Sequence, residues 1–164
     1  MAHGEAARGA NRARALTLAG TVALSVYVFV AEPTYVTRVI DGDTLVTNDG
    51  TVRLLGVDAP ERGECYGKQA SQYVEKWLTE QKVRLTKAPT TSSTDGRGRL
   101  LRFVAIRGVD VGRRLVRYGF ALVEHRDPVS RTPTYLVAER RARRERAGLW
   151  GACGARVGGE ARAA

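Results

Sequence analysis

Fewer than twenty residues separate two corners of this chain that carry carboxylates. Asp41-Gly42-Asp43 follows the apolar pair Val39-Ile40, and Asp58-Ala59-Pro60-Glu61 follows Leu54-Leu55-Gly56-Val57. Carboxylates gathered at strand ends repel one another and resist ionisation unless a cation neutralises them. Oxygen-only donors suit Ca2+, Mg2+ or Mn2+ rather than zinc. Taken alone, Asp41-Gly42-Asp43 reads first as an ordinary Asp-Gly turn. Arg53 lies on the apolar run between the corners, and Arg97 and Arg99 follow later in Asp95-Gly96-Arg97-Gly98-Arg99. A guanidinium fork matches two phosphate oxygens at once. Arg53 by itself also reads as a solvent-facing strand residue. Together these residues suggest a cation-assisted site that grips a phosphodiester.

The elements that must position them follow from periodicity and turn chemistry. Tyr35 to Ile40, Thr44 to Thr47 and Thr51 to Val57 read as a three-stranded meander. Gly42 permits a bend at the first corner. Asn48-Asp49-Gly50 marks the second, where Asp-Gly suits a type I′ turn. Ala70, Tyr73, Val74, Trp77 and Leu78 recur at helical spacing and predict a helix from Gly67 to Gln81. Lys82 to Lys87 and Leu100 to Ile106 read as strands, separated by a loop from Ala88 to Gly98. Arg107-Gly108 is a short turn, and Val111 to Tyr118 a helix stopped at Gly119. Phe120 to Val123 is a short extended piece. Thr132-Pro133 reads as an N-cap and N1 proline opening a helix that ends near Gly148, after which Leu149-Trp150 folds back on the core. Its arginines, Arg140, Arg141, Arg143, Arg144 and Arg146, read as a solvated face. The expected class is α+β, mainly β: a five-stranded barrel of the oligonucleotide-binding kind with three helices.

With 164 residues, 43% of them hydrophobic, the chain has room for one domain and is not compositionally disordered. It carries a net charge of +10, and residues 33–151 alone hold a surplus of eight positive charges. That surplus suits a polyanion, either nucleic acid or an anionic membrane surface. Arg8, Arg12 and Arg14 precede an uncharged apolar run from Ala15 to Ala31. This is the pattern of a signal peptide or, if uncleaved, of a membrane anchor. The expected organisation is therefore an N-terminal segment at 1–32, a domain at 33–151 and a disordered tail at 152–164. The domain is expected to be a monomer, either secreted or anchored through residues 15–31 outside the cytoplasm. Cys65 and Cys153 fit no zinc spacing and are expected to pair if the chain is exported.

Several motifs occur in one order: Val39-Ile40-Asp41-Gly42-Asp43-Thr44, Arg53 to Glu61, Tyr66-Gly67 with Ala70, Gly98-Arg99 with Leu101, and Gly148-Leu149-Trp150. From about Tyr35 to Trp150 the chain resembles the staphylococcal nuclease (thermonuclease) family. The resemblance implies a Ca2+-dependent phosphodiesterase that cuts DNA and/or RNA and leaves 3′-phosphates. It implies that Asp43, Asp58 and the Ala59 carbonyl hold the calcium, with Asp41 supporting them from behind. Glu61 would orient or deprotonate the attacking water, while Arg53 and Arg99 hold the phosphate and stabilise the transition state. The position of Asp95 and Gly98 favours Arg99 over Arg97.

The chain departs from the family pattern in several places. The segment between Glu61 and Tyr66 is short. Arg97 stands where the family has an aromatic. Glu124-His125-Arg126-Asp127 replaces the stretch whose tyrosines stack on a base, leaving His125 or Tyr135 as substitutes. The rival reading is a non-catalytic module that binds nucleic acid or protein.

Overall fold

The computed structural model describes residues 32–89 and 91–154, so the expected N-terminal segment and most of the expected tail lie outside the described residues. Eight strands form: β1 (Thr34–Val39), β2 (Thr44–Thr47), β3 (Gly50–Leu54), β4 (Val57–Asp58), β5 (Lys82–Thr86), β6 (Leu100–Ile106), β7 (Val109–Asp110) and β8 (Leu122–Val123). Four helices accompany them: α1 (Gly67–Leu78), α2 (Val111–Arg117), α3 (Thr132–Arg144) and the single turn α4 (Leu149–Ala152).

The meander β1-β2-β3 is antiparallel, β3 runs parallel to β6, β6 pairs with β5, and β5 returns to β1. Five strands thus close a barrel, which leaves no exposed sheet edge between them. Val36, Leu45, Val52 and Val104 point inward and are almost fully buried. Ala70, Val74 and Leu78 cover the barrel from α1, as the helical spacing predicts. Leu115 and Val116 of α2 and Tyr135 of α3 join the same core.

Local geometry differs from the sequence expectation at several points. The third strand does not run through to Val57. The chain turns at Leu55–Gly56, and Val57–Asp58 pairs separately with β8. Gly56 sits against Val129 and Tyr135, so packing breaks an apolar run that reads as continuous. The β2–β3 loop is Asn48–Asp49, with Thr47 opposite Gly50. Neither loop residue has a positive φ; only Gly50 does, at 124°. The type I′ pattern, with both central residues left-handed, occurs instead at Arg107 (φ 49°) and Gly108 (φ 80°), between β6 and β7.

Thr132 does not cap α3. It is the first helical residue, and its hydroxyl accepts from the Val129 N–H at 2.9 Å. The helix also stops at Arg144, since Arg146 turns left-handed at φ 50°. At the far end Ala152 closes α4, and Cys153 forms a disulfide with Cys65 (Cα–Cα 5.9 Å). Residues 152 and 153 are thus part of α4 and of the cross-link to the β4–α1 loop, respectively.

Candidate active site

Asp43 is the buried centre of the site, 4% exposed. It lies between the bend at Asp41–Gly42 and the first residue of β2. Gly42 is needed there for close approach: a Cβ would collide with those of Ala59 and Ala70. The bend thus lets β1 and β2 reach the β4–α1 loop. Asp41 Oδ1 accepts from the Asp43 N–H at 3.0 Å, an Asx turn that fixes the corner. Asp43 Oδ2 accepts from the Ala59 N–H at 2.6 Å, and its Oδ1 accepts from the Thr44 hydroxyl at 3.2 Å. The two carboxylate corners are therefore joined directly. A charged acceptor with these donors is held in one orientation.

Arg53 projects from β3 onto both carboxylates. Its Nη1 pairs with Asp43 Oδ1, and its Nη2 with Asp58 Oδ1 at 3.2 Å. Burial lowers the basicity of this guanidinium. Asp41, Glu124 and Glu61 act in the opposite sense, and Arg99 adds to the lowering. Contacts join Asp43 and Asp58 to Arg53 and Asp41 to the Asp43 N–H, whereas Glu61 acts on Arg53 through its charge alone.

Arg99 enters from the start of the β6 segment. Asp95 accepts from its N–H at 2.9 Å and from its Nε at 2.7 Å, while Arg99 Nη1 approaches the Thr44 hydroxyl at 3.5 Å. Partial burial opposes ionisation of Asp95, but the hydrogen bonds from Arg99 and from the Arg97 N–H outweigh it. The carboxyl is held below the usual carboxylate range. The loop is tied down further by Arg102, which is 8% exposed and donates to the Ser93 carbonyl at 2.8 Å.

Glu61 stays solvent-exposed on the short loop before α1. Its N–H donates to Glu64 Oε2 at 2.9 Å, its carbonyl accepts from the Glu64 N–H at 2.8 Å, and Arg62 Nε reaches back to the Ile40 carbonyl at 2.9 Å. Gly67 makes this tight loop possible, because any Cβ there would overlap the Glu61 carbonyl.

Arg53 and Arg99 open onto a cleft of about 530 Å³. Leu55, Leu101 and Val129 form apolar wall, and Glu124 and Asp127 line it as well. Arg97 and His125 are exposed and do not line the cleft. Tyr135 cannot replace a stacking tyrosine: it is 1% exposed, its hydroxyl donates to Asp110 at 3.0 Å, and burial holds its phenol well above the ordinary pKa.

Among the described residues no three His, Cys, Asp or Glu side chains form a metal cluster. The expected four-carboxylate group resolves into two roles. Asp43 and Asp58 converge on one guanidinium and Asp41 accepts from the Asp43 N–H, while Glu61 is exposed and bound to its loop through its backbone. Two hard carboxylates converging on one cationic group still suit an oxygen-seeking divalent ion. In the sequence Thr44 enters only as the end of the first motif, and Glu124 and Asp127 only as part of the stretch that replaces the stacking tyrosines. Thr44 has a signal in its place directly after Asp43, whereas the other two depend on how the loop after β8 returns to the barrel.

The model for staphylococcal nuclease homologues matches residues 51–152. The chain is 32% identical over 126 residues to a thermonuclease of Staphylococcus intermedius, covering 70% of this chain and 74% of that protein. It is 39% identical over 101 residues to a thermonuclease of Staphylococcus hyicus, covering 55% and 59%. An uncharacterized endonuclease of Escherichia coli O157:H7 is 33% identical over 124 residues, covering 70% and 74%. Sequence similarity and the closed barrel agree: the chain belongs to the staphylococcal nuclease homologue family.

Proposed function

We propose that this protein is a nuclease, a Ca2+-dependent phosphodiesterase acting on DNA and/or RNA and releasing 3′-phosphates. One observation carries the reading: Asp43 and Asp58 converge on Arg53, which lines a cleft together with Arg99. The nuclease names of the relatives support the same class of chemistry.

The carboxylates of Asp43 and Asp58, with the Ala59 carbonyl, would hold the cation, which supplies Lewis-acid polarisation of a phosphoryl oxygen. Arg53 borders both the carboxylate pair and the cleft, so its fork serves either partner. With Arg99 it grips the phosphate and stabilises the charge that builds at phosphorus. Glu61 orients the attacking water or takes its proton. A bond forms from the water oxygen to phosphorus while the bond from phosphorus to the 5′ oxygen breaks. Arg99 supports the departing oxygen by hydrogen bonding, and the 3′ side keeps the phosphate. The apolar stretch at 15–31 behind basic residues, together with the Cys65–Cys153 bond, supports action outside the cytoplasm, by secretion or anchoring.

The test is cleavage of single- and double-stranded DNA and RNA by chelator-treated protein, with Ca2+ or Mg2+ restored, and end-group analysis of the products. Activity restored by Ca2+ with 3′-phosphate ends is expected. Activity untouched by EGTA, or binding without hydrolysis in millimolar Ca2+, contradicts it.

A further inference from the structure

Glu124 and Asp127 line the same cleft as the two arginines, and the phosphodiester chemistry above uses neither. A cleft that took only a polyanion would lose affinity by presenting carboxylates to it, because like charges facing one another are costly. Glu124 is also held in place. It is half-buried, its main-chain N–H donates to the Gly56 carbonyl at 3.1 Å, and its Oε1 accepts from the Arg126 N–H at 2.8 Å. Each carboxylate oxygen has more than one lone pair, so both remain able to accept from a ligand. Leu101 and Val129 give the cleft an apolar wall for a base to lie against, and the cleft volume falls within the usual range for small-molecule sites.

We infer that Glu124, with Asp127 beside it, reads the base of the nucleotide bound in this cleft and selects guanine. The inference rests on the nuclease reading above. Guanine presents N1–H and an N2–H side by side, a donor pair matched to the two oxygens of a carboxylate. Uracil and thymine present one N–H between two carbonyls, so a carbonyl oxygen would face a carboxylate oxygen. Adenine and cytosine each present an amino donor next to a ring acceptor. Discrimination of this kind is strong because the wrong base leaves a site's polar group unpaired.

Calorimetric titration of the full-length protein in Ca2+ with guanosine 3′,5′-bisphosphate and uridine 3′,5′-bisphosphate tests this. The two probes share sugar and phosphates and differ only in the base. The guanosine compound should bind about tenfold more tightly or better. Glu124→Gln offers one acceptor and one donor, the complement of uracil's N3–H and O4, so the ratio should fall to about one or below. It retains a carbonyl for the Arg126 N–H, and circular dichroism checks that the fold survives. Asp127→Asn should reduce the ratio less. Equal affinities in the wild type, or a ratio unchanged by Glu124→Gln, overturns the inference while leaving the phosphate grip intact. Failure of both compounds to bind contradicts the phosphate grip itself, and the inference with it.

Discussion

The corner around Asp43 and the outer face of α3 are both rich in charge, yet they handle it in opposite ways. At the corner one arginine serves two carboxylates, and Asp43, 4% exposed, accepts from the Ala59 N–H and the Thr44 hydroxyl as well. On the end of α3 and the turn after it five arginines fall between positions 140 and 146, all exposed. Arg141 pairs with Glu145, and Arg143 pairs with Glu139 and lies over the Trp150 ring. The Arg141–Glu145 pair is exposed, screened by solvent and fixed only at an entropic cost, so it contributes little, whereas Glu139 is buried and also accepts from the Val123 N–H. Buried charges are costly to strip of partners, and this makes their arrangement rigid. The lesson is that chemistry resides where few charges are locked together, not where charge is most abundant.

The sharpest way to break this contrast is Asp43→Ala. It leaves Arg53 short of a partner and the Ala59 N–H without its acceptor. Urea unfolding should show a loss of about 3–5 kcal/mol, together with loss of nuclease activity. A second variant, Cys65→Ser with Cys153→Ser, removes a cross-link spanning 88 residues. Thermal and urea unfolding should show a loss of about 2–4 kcal/mol.

Asp95 gives a smaller effect with a definite pH signature. Its carboxyl is depressed in the fold, so its contribution is present above the ordinary carboxylate pKa and fades as pH falls through the lower folded value. The stability gap between wild type and Asp95→Asn should be flat from about pH 5 upward and shrink on acidification. A gap independent of pH would show that Arg99 is not held by an ionised Asp95. The smallest effect belongs to Arg141→Ala, which should leave the urea midpoint within error. A large shift there would erase the contrast between the two regions.

The barrel was legible because β-branched runs and turn residues recur at strand length, and α1 because Ala70, Val74 and Leu78 mark one face. Where the chain departed from expectation, tertiary packing decided. Leu55-Gly56-Val57 reads as strand, but Gly56 against Val129 and Tyr135 turns it. Thr132 has the chemistry of a cap and spends its hydroxyl on Val129. Asp43, Asp58 and Arg53 were legible because their motifs are contiguous. Their mutual pairing was not, since it depends on β3 carrying Arg53 across both corners. Glu124 and Asp127 were legible only as the stretch that replaces the stacking tyrosines; that their carboxylates line the cleft depends on the β4–β8 pairing, which returns that loop to the barrel.

The central claim is that phosphodiester cleavage is performed by Arg53 and Glu61 beside the Asp43–Asp58 pair. Single-turnover cleavage of an oligonucleotide in saturating Ca2+ by wild type, Arg53→Ala and Glu61→Ala tests it most directly. Glu61 is exposed and engages its loop mainly through the backbone, so its truncation should spare the fold. Each substitution should slow cleavage by roughly two to three orders of magnitude, with native circular dichroism retained. Undiminished cleavage in both variants would contradict the account.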